Sequence, residues 1–390
     1  MRRCTMILSD VHLSTLARSS NAMAHRRPDR QPDALLAGTI DQALAQARRA
    51  GARLELVLNG DLFDLDAAPV DASEPGLEER RCELGAADMM RRILTDHPVF
   101  MSTLYRVVSA GHRVVAIPGN HDAQLAFPAV RRELVRSLGT GLGVAFRAWF
   151  HVTEDGVLVE HGHLYDPLCR MERLYPVAGR LEDTVGTVST HYGSAIFDGI
   201  SPYAADPFAA IGGDTGVLLD CLSGKGNTAL ACLRELMLVG GSAGGDAQRA
   251  EWHASVARET RATPQALALH ESLAAAKADA TLLARASCRE YDYGRDVDAR
   301  LRSAMLALAR LYQARVVVMG HTHEAFRQYV PAVPGCARPV TFANSGTWAP
   351  LGTGAGAPAG TFVWVTSDDR GAVGVRLYRV MADGRIIDCT

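Results

Sequence analysis

The sequence predicts an α/β protein, and three features carry that expectation. Short apolar or β-branched runs recur without strict alternation, as in strands buried on both faces. Stretches of helical periodicity separate several of these runs, which is the pattern of βαβ units. The C-terminal part instead has strand-like runs divided by turn residues with no helix between them, which suggests adjacent antiparallel strands or a second sheet.

In chain order, "CTMILS" (4–9) reads as the first strand, "DALLAGTIDQALAQARRA" (33–50) as a helix and "LELVL" (54–58) as the next strand. A helical stretch covers 90–111, where Pro98 should break or kink it, because proline lacks an N–H and its ring clashes with the preceding turn. "RVVAI" (113–117) and "GVLVE" (156–160) are further strands, and the helix "DARLRSAMLALARLYQA" (298–314) leads into "RVVVM" (315–319). The tail supplies "PVTFANSG", "TFVWVT" and "AVGVRLYRV".

Residues 167–312 stand apart. Gly- and Ala-rich helical stretches such as "PQALALHESLAAAKADATLLARASCRE" (264–290) mark them as a mostly helical insertion closing over a site, with 1–166 and 313–390 forming the core. The apolar helices expected at 217–239 could seat an acyl chain, touch a membrane surface, form a homo-oligomeric contact or make the insertion's own core.

Composition narrows the function. The chain of 390 residues is 48% hydrophobic and 22% charged, enough for a large core and unlike a disordered chain. Lys plus Arg is 41 against 43 for Asp plus Glu, a net charge of −2 that argues against a general nucleic-acid surface. Eight cysteines are scattered without a CxxC pair, so neither a disulfide framework nor structural zinc is expected, and a cytoplasmic location is. "MRRCTMILSDVH" has too short an apolar run for a secretory segment. No window approaches the ~20 apolar residues of a membrane span.

Five of the strands end in polar groups: Asp10 and His12; Asn59, Asp61 and Asp64; Asn120, His121 and Asp122; His161 and His163; His321 and His323. An open α/β sheet delivers such loops to one edge, so these groups should converge. In three stretches the paired residues are two apart, which in extended backbone points both side chains to one side. Imidazole, carboxylate and amide without thiolate suit borderline to hard divalent ions such as Mn, Fe or Zn. There are more candidate ligands than one ion takes, which suggests two ions sharing a carboxylate, an arrangement suited to phosphoryl hydrolysis.

"DVH" (10–12), "GDLFD" (60–64), "GNHD" (119–122), "HGH" (161–163) and "GHTH" (320–323), in this order and each after a strand, resemble the calcineurin-like metallophosphoesterase superfamily. The resemblance covers residues 1–166 and 313–390. By motif style the chain is similar to bacterial UDP-2,3-diacylglucosamine diphosphatases, but it departs from them at His121, where they carry Arg, and at His163, where they carry Asp. The superfamily implies a four-layer α/β/β/α sandwich and two divalent ions, with Mn expected and Fe or Zn as alternatives. Asp10, His12, Asp61 and His323 would hold one ion. Asp61 would bridge to the second, completed by Asn120, His161 and His321. His121 would act as general acid or phosphate stabiliser, with Asp122 orienting its ring.

The implied reaction is attack at phosphorus by a hydroxide shared between the ions, on a phosphodiester or a nucleotide-sugar or lipid pyrophosphate. Phosphomonoester or phosphoprotein hydrolysis at the same site is the alternative, and a non-catalytic scaffold on the same fold is the alternative outside enzymes. Arg26 and Arg27 in the loop after His12, Arg170 and Arg173 after "HGHLYD", and His163 are candidate contacts to the anionic substrate. Asp64 could brace a ligand or cap the next segment, and Asn344 or Ser345 in "NSGTW" (344–348) could touch groups behind the ligands.

Overall fold

The computed structural model describes residues 2–16, 31–66, 75, 77–139, 143–171, 173–181, 245–274, 293–348, 358–368 and 371–390. The expected apolar helices at 217–239 lie outside these residues, as do Arg26 and Arg27. In chain order the strands are β1 (Arg3–Leu8), β2 (Arg53–Asn59), β3 (Arg113–Ile117), β4 (Val144–Phe146), β5 (His151–Val152) and β6 (Val157–Val159). They continue with β7 (Val316–Met319), β8 (Phe326–Val330), β9 (Val340–Asn344), β10 (Pro358–Ser367), β11 (Val373–Met381) and β12 (Ile386–Asp388). The helices are α1 (Gln31–Arg49), α2 (Leu77–Arg80), α3 (Glu83–Asp96), α4 (Pro98–Ser109), α5 (Pro128–Ser137), α6 (Asp246–Thr260), α7 (Pro264–Leu273) and α8 (Tyr293–Tyr312).

Two mixed sheets result. One has the order β12-β11-β10-β1-β2-β3-β4 and the other β5-β6-β7-β9-β8. β1 to β4 run parallel in the first, and β6, β7 and β9 run parallel in the second. The tail divides between them. β9 joins the second sheet beside β7, while β10, β11 and β12 extend the first as an antiparallel meander.

The two-residue period of each strand decides what its faces meet. Ile7, Val57, Val115 and Ile117 from the first sheet interleave with Val157, Val159, Val316 and Val318 from the second in one apolar layer. Their alternates Met6, Leu8, Leu56 and Leu58, and Leu158, Val317 and Met319, belong instead to the clusters under the helices. α1 and α4 pack on the first sheet, and α8 packs on β7 of the second. The architecture is therefore a four-layer α/β/β/α sandwich. Pro98 does end a helix: α3 stops at Asp96, His97 has ψ 55°, and α4 restarts on the proline.

The segment expected as an insertion supplies the fourth layer. α8 is the crossover that a parallel β6–β7 pair requires. α6 abuts β5, with Glu259 accepting from Ala148 N at 2.8 Å and Trp252 stacked 5.5 Å from Trp149. α7 places His270 against Trp149 and within 2.9 Å of the buried Glu160 carboxylate.

Truncating the inter-sheet layer should be costly, since the vacated volume has no route to collapse. Ile7→Ala is expected to lower unfolding free energy by about 2–5 kcal/mol, and Tyr329→Ala on an exposed strand position by less than about 0.5 kcal/mol. Urea denaturation of the two variants checks both figures, and equal losses would contradict this layering.

Candidate metal centre

The carboxyl ends of β1, β2 and β3 meet those of β6, β7 and β9 at one edge of the sandwich, and polar bonds knit the two sets together. Asp10 N donates to Gly60 O at 3.1 Å, Trp348 N to Asp10 O at 2.9 Å, and Gly320 N to His161 O at 2.9 Å. Asn59 Nδ2 donates to Glu160 O at 3.0 Å, Asn344 Nδ2 to Gly320 O at 2.8 Å, and Ser9 and Ser345 share a hydroxyl bond of 2.7 Å. Asn344 and Ser345 thus fix the loops that carry the ligands.

Two three-residue groups assemble there. Asp10, His12 and His323 bring their ligand atoms within 4.8 Å of one another, and so do Asp61, His161 and His321. All six residues are buried. The groups adjoin: His121 N donates to Asp61 Oδ1 at 2.8 Å, and the His121 ring lies 5.2 Å from that of His12.

The backbone around these groups is not extended. Asp10, His12, Asp61, His321 and His323 all have positive φ, between 50° and 70°. Asp10 and His12 do share one group, as their spacing suggests, but through left-handed rather than extended backbone. His321 and His323 instead turn into different groups. Left-handed backbone at non-glycine residues costs of order 1–3 kcal/mol each and persists only where its surroundings impose it. Close approach explains two glycines here. A Cβ on Gly119 would stand 2.1 Å from Asp61 Oδ1, and one on Gly320 would stand 2.6 Å from Asp10 Oδ2.

Each of three imidazoles is anchored from behind through Nδ1. His12 donates to Asp64 Oδ1 at 2.7 Å, His121 to Asp66 Oδ1 at 2.8 Å, and His161 to Asn59 O at 2.9 Å. With Nδ1 of His12 and His161 committed as a donor, Nε2 is the nitrogen whose lone pair an ion can take once its proton is displaced. His12 Nε2 faces His323 Nε2 at 3.3 Å, and His161 Nε2 lies 3.1 Å from Asp61 Oδ2. His321 is held differently, by Nε2 donating to Asp166 Oδ2 at 3.0 Å.

Electrostatics follow from this crowding. Burial pushes the Asp61 carboxyl up, but the imidazoles of His161, His121 and His12 outweigh it and hold it well below the usual carboxylate range. Burial lowers the His161 imidazole, yet Asp61 and Asp10 beside it push it up to about 9. Burial and the neighbouring Asp61 charge raise Asp122 to about 7.

The residues fit divalent ions. Asn120 Oδ1 is buried with no hydrogen-bond partner among the described residues, and two imidazole nitrogens point at each other where only one can donate. Buried oxygen and nitrogen donors left facing one another in this way are what a cation satisfies.

Two expectations need correction. Asp122 does not orient His121; its carboxylate accepts from the backbone N–H of Gly119 at 2.6 Å and of Leu62 at 2.9 Å, which shapes the loops. Asp66 takes the orienting place, because the turn after "GDLFD" brings it under the His121 ring. His163 is not displayed to a substrate. It is 2% exposed, with neither ring nitrogen hydrogen-bonded among the described residues, and burial together with His161 and His321 lowers its pKa well below the ordinary range. Arg170 and Arg173 are half-buried just beyond, with Arg170 N donating to Asp166 O at 2.8 Å. Asp66 and Asp166 were missed from sequence because neither sits in a motif; their only signal was an extra carboxylate shortly after "GDLFD" and after "HGH".

No family model and no curated protein matches the chain. Among solved structures, a double mutant of Vps29 from Entamoeba histolytica aligns with 22% identity over 23% of this chain and 47% of its own, at a TM-score of 0.16. The match thus spans about half the length of that protein.

Ion binding should compete with protons. His161 is raised from 6.5 to about 9 in the ion-free protein, so its pairing with Asp61 stabilises that form below about pH 6.5 and is lost as pH climbs through about 9. Asp122, raised from 3.8 to about 7, also lowers stability as pH rises, but between those two values and so mostly below that window. The melting temperature of EDTA-treated protein is expected to fall across that window while the increment produced by added Mn grows. A Mn increment that stays constant or shrinks as pH rises would contradict the assignment of His161 as a ligand.

Proposed function

We propose that this protein is a dimetal hydrolase of phosphoester or pyrophosphate bonds. The observation that carries the reading is the pair of adjoining buried groups, Asp10–His12–His323 and Asp61–His161–His321, with the Asn120 carbonyl oxygen and the His121 ring on the neighbouring loop. Asp61, in contact with both His161 and the His121 loop, is placed to serve two ions, and Asn120 would complete the second. Such ions supply polarisation of phosphate oxygens and a water of lowered pKa.

The chain's own residues do the rest. Asp64 and the Asn59 carbonyl keep His12 and His161 in the tautomers that ligation needs. Asp66 accepts from Nδ1 of His121, so Nε2, once it also carries a proton, can pass that proton to the departing oxygen or hydrogen-bond the phosphate. Asp122 keeps the Asp61 and Gly119 loops in register.

The favoured substrates are phosphodiesters or nucleotide-sugar or lipid pyrophosphates, with Arg170 and Arg173 as contacts to their negative charge and phosphomonoesters as the alternative. Mn is the preferred ion for this oxygen and nitrogen set, and Fe or Zn also suit it. A cytoplasmic setting agrees with the lack of a disulfide at any described cysteine. No helix among the described residues is long and apolar enough to cross a membrane. A peripheral membrane contact and a homo-oligomer remain part of the proposal through residues 217–239.

Mn-loaded protein should release product from bis(p-nitrophenyl) phosphate or from a nucleotide diphosphate, and should hold two ions per chain by elemental analysis. Turnover of neither substrate would end the enzyme reading, and a chain that holds no ions would favour the scaffold. Asp61→Ala or His323→Ala should lose both metal and activity. His121→Ala should keep both ions and slow turnover by about 10²–10⁴-fold, and Asp66→Asn by about 10–100-fold.

A further inference from the structure

Behind the second ligand group lies a further cluster. Asp166, Cys169 and His321 bring a carboxylate oxygen, a thiol sulfur and an imidazole nitrogen within 4.8 Å of one another, and all three residues are buried. His321 Nε2 and Asp166 Oδ2 are already 3.0 Å apart. Ligand atoms around a tetrahedral ion with ordinary Zn–N, Zn–O and Zn–S bonds are separated by roughly 3.3–3.8 Å, so only small adjustments are needed.

The local chain builds the trio. The turn after β6 carries Asp166 to the rim, and Cys169 N donates to Asp166 O at 3.1 Å, which fixes the spacing of the two side chains. Beside them is an independent sign of a missing partner. His163 is buried with both ring nitrogens lacking hydrogen bonds among the described residues. A buried imidazole without partners is unfavourable in a finished, ligand-free site.

The donor chemistry differs from that of the main pair. The two groups there offer only oxygen and nitrogen. This one adds a sulfur, and thiolate selects soft or borderline ions such as Zn or Cd over Mn and Mg. His321 belongs to both sets. If it offers the same nitrogen to each, one ion excludes the other. If it offers opposite nitrogens, joint occupancy requires a bridging imidazolate, with both ring protons gone.

We propose that Asp166, Cys169 and His321 form a seat for a thiophilic ion that competes with the second ion of the main centre for His321. Binding displaces the Cys169 thiol proton to solvent and breaks the His321–Asp166 hydrogen bond, and the Nε2 proton of His321 moves to Nδ1, which then has no lone pair for the main centre. An ion in this seat withdraws His321 from the Asp61–His161 group. Excess zinc therefore inhibits a Mn-loaded protein; that consequence for turnover rests on the proposed phosphoester hydrolysis, whereas the seat itself does not.

The test is titration of the full chain with Cd, read by the ultraviolet thiolate-to-metal band, in wild type, Cys169→Ser and Cys169→Ala. Wild type should show a saturable band that both variants lose, while Mn content and Mn-dependent turnover of the variants stay at the wild-type level. Zinc inhibition of the variants should need about tenfold more metal or beyond. The alanine variant, which keeps an apolar side chain at the buried position, guards against a folding defect of the serine variant.

Absence of the band in folded wild type, or its persistence at full strength in Cys169→Ala, overturns the seat. Zinc inhibition unchanged in both variants overturns the competition. A Cys169-dependent band in a protein that neither holds Mn nor turns over substrate upholds the seat and defeats the phosphoesterase reading instead, so the two failures are distinguishable.

Discussion

The structure depends on keeping two ionised carboxylates, Asp10 and Asp61, almost free of solvent at the meeting edge of two sheets. A buried carboxylate without compensation would take up a proton. Here the imidazoles of His161 and His323 bear on Asp10 and those of His161, His121 and His12 on Asp61, and both carboxyls stay below their ordinary range against the effect of burial. Much else serves that constraint. The sheets face each other so that six strand ends converge, glycines at 119 and 320 admit side chains where a Cβ would collide, and Asp64, Asp66 and Asp166 hold imidazoles from behind.

Much of this could be read from residues alone, for a physical reason. Strands buried on both faces are apolar runs, and Asp or His at their ends is so unfavourable without a partner that its repetition implies a shared ligand. The same reasoning located the proline break between α3 and α4. It failed where distance along the chain matters. The partner of His121 is 55 residues away, in a turn whose conformation no local pattern specifies, so the adjacent Asp122 was the natural but mistaken choice.

A second shortfall concerned backbone. The two-residue spacing of Asp10 with His12 and of His321 with His323 suggested extended chain, because strand geometry is the default after a strand. The loops turn left-handed instead, and that is what lets His321 and His323 serve different groups. Within residues 167–312, α8 is the helix that a parallel β6–β7 connection needs. The tail meets both of its readings, since "PVTFANSG" joins the second sheet beside β7 while "TFVWVT" and "AVGVRLYRV" are adjacent antiparallel strands of the first.

The five left-handed ligand positions have an evolutionary corollary. Folding by itself would favour glycine or asparagine at such sites, so every generation that keeps Asp or His there does so against the interest of stability. A descendant released from its chemical duty should drift first at these five positions and grow sturdier as it does so. Erosion of this edge, with the apolar layer between the sheets left intact, would mark such a lineage as one that had given up its original task.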